Sequence, residues 1–307
     1  MASSPLFTGI MTALVTPFHL DGTFDEESYR QLIEQQIASG IDGLIPCGTT
    51  GEAATLSETE RLTVIQTCVD AVKGRVPVIA GAGHNDTQTA IRYQKQMKEL
   101  GVDGTLQVTP WYNKPCQDGL YHHFSEILKQ APMPTVLYNV PGRCGVDLQA
   151  STVARLAEKH SDIVAIKEAT GSIARAQDIL CRVHDSRTDF SVLSGDDGFI
   201  LGLLAIGGHG VISVISHLCA EDLVAMKQAF LNGEQAQAQR LSRKVSPLTP
   251  ALFFRPNPVP VKAALSRCEY IDTMTEHVRA PLITLDDAGW DVLHTALKEA
   301  GYDRKAS

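Results

Sequence analysis

A lysine closes an otherwise apolar run: Ile163, Val164, Ala165 and Ile166 lead straight into Lys167 in the stretch IVAIKEATG. Removing an ammonium group from water is costly, so burial favours the neutral amine and lowers the pKa. A neutral amine attacks a carbonyl and forms an imine. Once protonated, that imine withdraws electrons and acidifies the neighbouring carbon. Such chemistry requires neither a metal nor an organic cofactor, and none is expected. Taken alone, a lysine at a strand end is more often a snorkelling or ion-paired side chain. Its company decides the reading.

Other apolar runs end in reactive or anion-holding residues. CGTTGE carries Thr49 and Thr50, TPWYNKP carries Tyr112, YNVPGR carries Tyr138 and Arg143, and SGDDG carries Ser194 and Asp196. Each alone is an ordinary turn, rim or core residue. With Lys167 they bring a lysine, two tyrosines, two threonines, an arginine, a serine and an aspartate to places where strands stop.

The elements that would position them can be read from periodicity. Strand-like runs occupy residues 9–17, 43–48, 76–83, 104–110, 135–140, 163–169, 190–195 and 210–214. Amphipathic stretches such as EESYRQLIEQQIASG and TQTAIRYQKQMKELG lie between them. Capping residues Asp25, Ser57, Asp86 and Ser151 precede helices, and Gly40, Gly74 and Gly101 follow them. Eight strand–helix units predict an α/β chain folded as a (β/α)8 TIM barrel, whose chemistry sits at the C-terminal ends of its strands. The expected division is a catalytic barrel over 1–230 and a C-terminal helical extension over 231–307. Within the extension, FFRPNPVPVK (253–262) reads as a proline-rich joint between helices.

Composition narrows the function classes. The net charge of −8 disfavours a nucleic-acid backbone or an anionic membrane as partner. No run approaches the ~18 apolar residues of a membrane helix, and MASSPLFTGIM lacks the pattern of a secretion signal. Seven scattered cysteines without a CxxC pair read as free thiols in a reducing cytoplasm. GAGHND lacks the third glycine of a dinucleotide turn. His122 and His123 are adjacent and so point apart on a helix, a poor metal pair.

GTTGE, TPWYNKP, YNVPGR, KEATG, SGDD, GGHGVISV and NPVPVK occur in that order over nearly the whole chain. The set resembles the dihydrodipicolinate synthase / N-acetylneuraminate lyase superfamily of pyruvate-dependent class I aldolases. The resemblance implies that Lys167 forms the Schiff base with pyruvate. It implies that Tyr138, Thr50 and Tyr112 relay protons, Tyr112 reaching in from a neighbouring subunit. Thr49 and Thr50 would hold the pyruvate carboxylate, and Arg143 the carboxylate of the second substrate, aspartate semialdehyde. Gly195 and Ile212 would line the pocket. A homotetramer built as a dimer of dimers is implied as well. GTTGE together with Arg143 resembles the synthase branch more than the sialic acid lyases. The alternative within the superfamily is an aldolase or dehydratase acting on a 2-keto-3-deoxy sugar acid.

Two departures stand out. Trp111 replaces the tyrosine common in TPYYN and is expected to pack differently at the tight dimer interface. Where lysine-inhibited members commonly carry a histidine-bearing segment and a following glutamate, this chain has Ala53, Glu58, Arg61 and Thr89, with Asn85 retained. Feedback inhibition by lysine is therefore expected to be weak or absent. Initial rates measured against added lysine check this, and strong inhibition at low millimolar lysine contradicts it.

Overall fold

Apolar, β-branched segments become strands at all eight expected places. In the computed structural model, which describes residues 4–184 and 186–303, these are β1 (Gly9–Ala13), β2 (Gly43–Ile45), β3 (Ile79–Gly81), β4 (Gly104–Val108), β5 (Thr135–Asn139), β6 (Ile163–Glu168), β7 (Ser191–Ser194) and β8 (Gly210–Ser213). Helices alternate with them: α1 (Glu26–Ala38), α2 (Glu58–Val72), α3 (Thr87–Glu99), α4 (Gln117–Gln130), α5 (Pro141–Cys144), α6 (Ala150–Lys159), α7 (Ile173–His184), α8 (Ile200–Ala205) and α9 (Ser216–Leu231). Four more follow: α10 (Gln235–Val245), α11 (Leu248–Phe253), α12 (Val259–Arg267) and α13 (Asp287–Ala300). The sheet order is β2-β1-β8-β7-β6-β5-β4-β3. This is the (β/α)8 plan expected from the sequence.

Three of the four helix N-caps expected from the sequence form. Asp25 and Asp86 accept from the backbone N–H groups of Ser28 and Thr89, and Ser57 forms a capping box with Glu60. Gly40, Gly74 and Gly101 have φ of +80°, +71° and +74°, the left-handed conformation that ends a helix without a Cβ penalty. Two expectations are corrected. Ser151 lies inside the first turn of α6, whose N-cap is Gln149. The proline-rich joint is only partly a joint, because residues from Val259 onward form α12 with Pro260 in its first turn. Proline is tolerated there, since the N–H it lacks has no partner inside the helix.

By contacts the chain divides into two compact units. One comprises the residues up to Gly9 with Pro77–Ile212, and the other Ile10–Val76 with Ser213 onward. In the first, Leu137, Ile166 and Val192 of the strands pack in one core with Phe124, Val153, Leu156 and Ile179 of the helices. Side chains alternate across a strand. If Leu137 and Ile166 face the helices, Tyr138 and Lys167 face the other way. In the second unit, α1 packs on α2, α9 on α10, and α11 on α13.

Gly210 shows how closely the backbone is packed in the first unit. Its φ is +146°, and a Cβ built there would lie 2.0 Å from the Gly9 carbonyl oxygen. Gly210→Ala is therefore expected to destabilise the protein by about 3 kcal/mol, a strong overpacking penalty. Equilibrium denaturation should show a lower midpoint with an unchanged m-value.

Candidate active site

Lys167 sits on β6 with 7% of its surface exposed. Parallel pairing places it directly opposite Tyr138 of β5, and its Nζ lies 4.5 Å from the centroid of the Tyr138 ring. Burial pushes its pKa down to about 8. The carboxylate of Asp197 opposes that shift by stabilising the ammonium, and the Arg143 guanidinium reinforces it. A substantial neutral fraction therefore exists near neutral pH, as a nucleophilic amine requires.

The aliphatic stem of Lys167 is clamped by Gly195. A Cβ at position 195 would come within 2.5 Å of Ala169 Cβ and 3.0 Å of Lys167 Cε. Glycine is needed here for close approach, and its N–H donates to the Glu168 carbonyl at 2.7 Å. On the opposite face of the same strands, Asn139 staples β5 to β6. Its Nδ2 donates to Glu168 Oε2 at 3.1 Å and to Asp147 Oδ1 at 2.9 Å, while its Oδ1 accepts from Leu148 N–H at 2.9 Å. Arg175 in turn holds both carboxylate oxygens of Asp147, at 2.9 and 2.8 Å. This network, buried at Asn139 and Glu168, holds the register that sets Tyr138 beside Lys167.

Beyond β5 the chain forms α5, with Pro141 at its start and Gly145 ending it at φ +71°. Arg143 lies on this short helix and is exposed. Tyr112 has a left-handed backbone, φ +73°, and its N–H donates to the Cys144 carbonyl at 3.4 Å. Its side chain is 89% exposed. The neighbouring Trp111 packs edge-on to His84, with ring centroids 5.4 Å apart. Ile212 is buried in β8. Cys144 is buried too, and burial raises its thiol pKa, which disfavours the reactive thiolate.

Thr49 and Thr50 belong to the second unit. Thr49 is exposed and Thr50 buried. Asn257 Nδ2 donates to Thr50 Oγ1 at 2.8 Å, which leaves the hydroxyl proton of Thr50 available for donation. The turn is pinned from below by Thr16, whose hydroxyl donates to the Gly51 carbonyl at 2.7 Å.

Asp196 caps the short 3-10 turn after β7 by accepting from Gly198 N–H at 2.9 Å. The carboxylate that acts on Lys167 is the next one, Asp197, which the sequence did not single out. Adjacency in a loop cannot tell which of two aspartates turns inward. Asn257, Glu52 and Lys262 of the second unit were likewise not singled out, and only their motif context could have pointed to them. Among the described residues no group of three or more His, Cys, Asp or Glu side chains is arranged to hold a metal.

Below pH about 8 the Lys167 amine is increasingly protonated, and only its neutral fraction attacks. Imine formation with a carbonyl compound is therefore expected to accelerate as pH rises through that value. Asp197→Asn removes the charge that favours the ammonium, so its inflection should move to lower pH. Borohydride trapping rates measured across pH check both, and an unmoved inflection in the variant contradicts the assignment.

Known proteins match almost the full chain. A model of the dihydrodipicolinate synthetase family matches residues 6–300. The 4-hydroxy-tetrahydrodipicolinate synthase of Maridesulfovibrio salexigens is 47% identical over 295 residues, covering 96% of this chain and 99% of that one. The crystal structure of dihydrodipicolinate synthase from Thermotoga maritima superposes with a TM-score of 0.93 at 39% identity, over 97% of this chain and 99% of that one. A monomeric dihydrodipicolinate synthase variant superposes at 0.92 with 39% identity, over 96% and 97% of the two chains. The motif order, the barrel plan and these matches lead to one assignment: the chain belongs to the dihydrodipicolinate synthetase family.

Proposed function

We propose that the chain is a lyase that condenses pyruvate with L-aspartate 4-semialdehyde to give 4-hydroxy-tetrahydrodipicolinate, a step toward diaminopimelate and lysine. The observation that carries this reading is the desolvated amine of Lys167, with a pKa of about 8, beside the ring of Tyr138. Full-length similarity to synthases of that name supports the choice of substrates.

The reaction follows from the residues in order. The neutral Lys167 amine attacks the C2 ketone of pyruvate, and the carbinolamine loses water as the relay of Tyr138, Thr50 and Tyr112 delivers a proton to the departing oxygen. The protonated imine draws electrons from C3, which gives up a proton and becomes the enamine terminus. That carbon attacks the aldehyde carbon, and the new alkoxide takes a proton. The amine of the semialdehyde portion then attacks C2 and displaces Lys167, which closes the ring and frees the enzyme.

The backbone N–H groups and hydroxyls of Thr49 and Thr50 receive the pyruvate carboxylate, as such turns receive anions. The exposed guanidinium of Arg143 offers a planar fork to the carboxylate of the second substrate. Gly195 and Ile212 line the pocket. The exposure of Tyr112 supports its service in a neighbouring copy of the chain, and with it a homo-oligomer, a tetramer formed as a dimer of dimers. No helix among the described residues is long and apolar enough to cross a membrane. The seven free thiols suit a reducing cytoplasm, where we place the enzyme.

The test has two arms. Borohydride reduction in the presence of pyruvate should add the mass of the reduced adduct to the peptide bearing Lys167, and Lys167→Ala should gain nothing. Turnover with pyruvate plus aspartate semialdehyde should exceed cleavage of 2-keto-3-deoxy sugar acids by orders of magnitude. Faster sugar-acid cleavage would move the chain to the other branch of the superfamily.

A further inference from the structure

The Thr49–Thr50 turn is anchored by a side chain with no part in the chemistry above. Lys262, in the first turn of α12, is fully buried. Its Nζ donates to the Thr16 carbonyl at 2.8 Å and to Glu52 Oε1 at 2.8 Å, and lies 4.4 Å from the centroid of the Phe18 ring. The second carboxylate oxygen of Glu52 accepts from Arg279 N–H at 2.9 Å.

Each hydrogen-bond partner of Lys262 leads back to the turn. Glu52 closes the GTTGE segment with a left-handed backbone, φ 52° and ψ 36°, and its own N–H donates to the Thr49 carbonyl at 3.1 Å. A non-glycine residue adopts that conformation only when its surroundings hold it there. Thr16, whose carbonyl accepts from Lys262, donates its hydroxyl to the Gly51 carbonyl. Asn257, on the segment leading into α12, donates to Thr50 Oγ1. The carbonyls of Thr49 and Gly51 and the carboxylate of Glu52 are thus tied, directly or through one residue, to a single buried ammonium.

A buried ion pair is a poor stabiliser, because a well-packed apolar pair of similar volume often does as well. A cradle of N–H and O–H dipoles, by contrast, depends on being held in shape before the anion arrives. We propose that Lys262 is a positioning residue for pyruvate, fixing through Glu52 and Thr16 the shape in which the Thr49–Thr50 turn meets the keto-acid carboxylate. The inference rests on the reading of that turn as the carboxylate cradle.

The experiment measures borohydride-trapped adduct by intact mass as a function of pyruvate concentration, in the parent, in Lys262→Met, and in the double variant Lys262→Met with Glu52→Leu. Thermal midpoints are recorded alongside. Both variants should still be trapped fully at saturating pyruvate. Their half-saturating concentration should rise about tenfold or more, the scale of losing a buried hydrogen bond to a charged group. The double variant should regain much of the thermal stability lost by the single one, since no orphan charge remains, yet keep its weakened pyruvate saturation. If Lys262→Met fails to fold, the double variant carries the test alone. Half-saturation within twofold of the parent in the double variant overturns the proposal and leaves Lys262 a purely structural residue. Absence of any adduct in the parent removes the functional reading itself, and this inference with it.

Discussion

The proposed chemistry depends on taking one ammonium group out of water. A parallel sheet covered by helices is apolar on the side facing them, and its strands are buried on both faces. Placing lysine at a position that turns away from the helices makes its charge expensive without breaking the core. The pKa of Lys167 follows from that placement more than from any single partner, because burial is the leading cause of its shift and Asp197 and Arg143 pull in opposite directions. The remaining features of the first unit keep the amine where burial acts on it. Gly195 leaves room for its stem, and Asn139 locks the two strands that carry Lys167 and Tyr138.

Polar clasps on the hidden face of a strand are an economical way to set register. One residue of slip would exchange the faces of every side chain, burying Glu168 where Lys167 now stands. Asn139 is completely buried and makes use of both ends of its amide. Its network reaches Arg175 through Asp147, so α7 and the loop after α5 share in holding the reactive pair together.

Legibility in the sequence followed the range of the interactions. The eight strands were readable because β-branched runs bounded by glycine and proline are local signals. Lys167 and Tyr138 were readable because each is an odd residue at the end of such a run. Asp197 was not separated from Asp196, because the choice between them is made by loop geometry. Glu52 and Lys262 lie far apart in sequence, and no periodicity links them. The prolines before Lys262 suggested a joint, whereas proline at the start of a helix is compatible with one. Tyr112 and Arg143 were found as motif residues, but their exposure could only come from the fold.

The four-residue helix α5 separates two tasks within one chain. The amine and its neighbouring phenol are fixed to strands whose geometry the whole sheet maintains. Arg143, the group assigned to the incoming aldehyde, rides on a short insert bracketed by Pro141 and Gly145. Descendants of such an architecture can exchange the insert and court new acceptors while inheriting the imine chemistry intact. Diversification of substrate preference then requires changes to a few surface residues, and the costly interior is left alone.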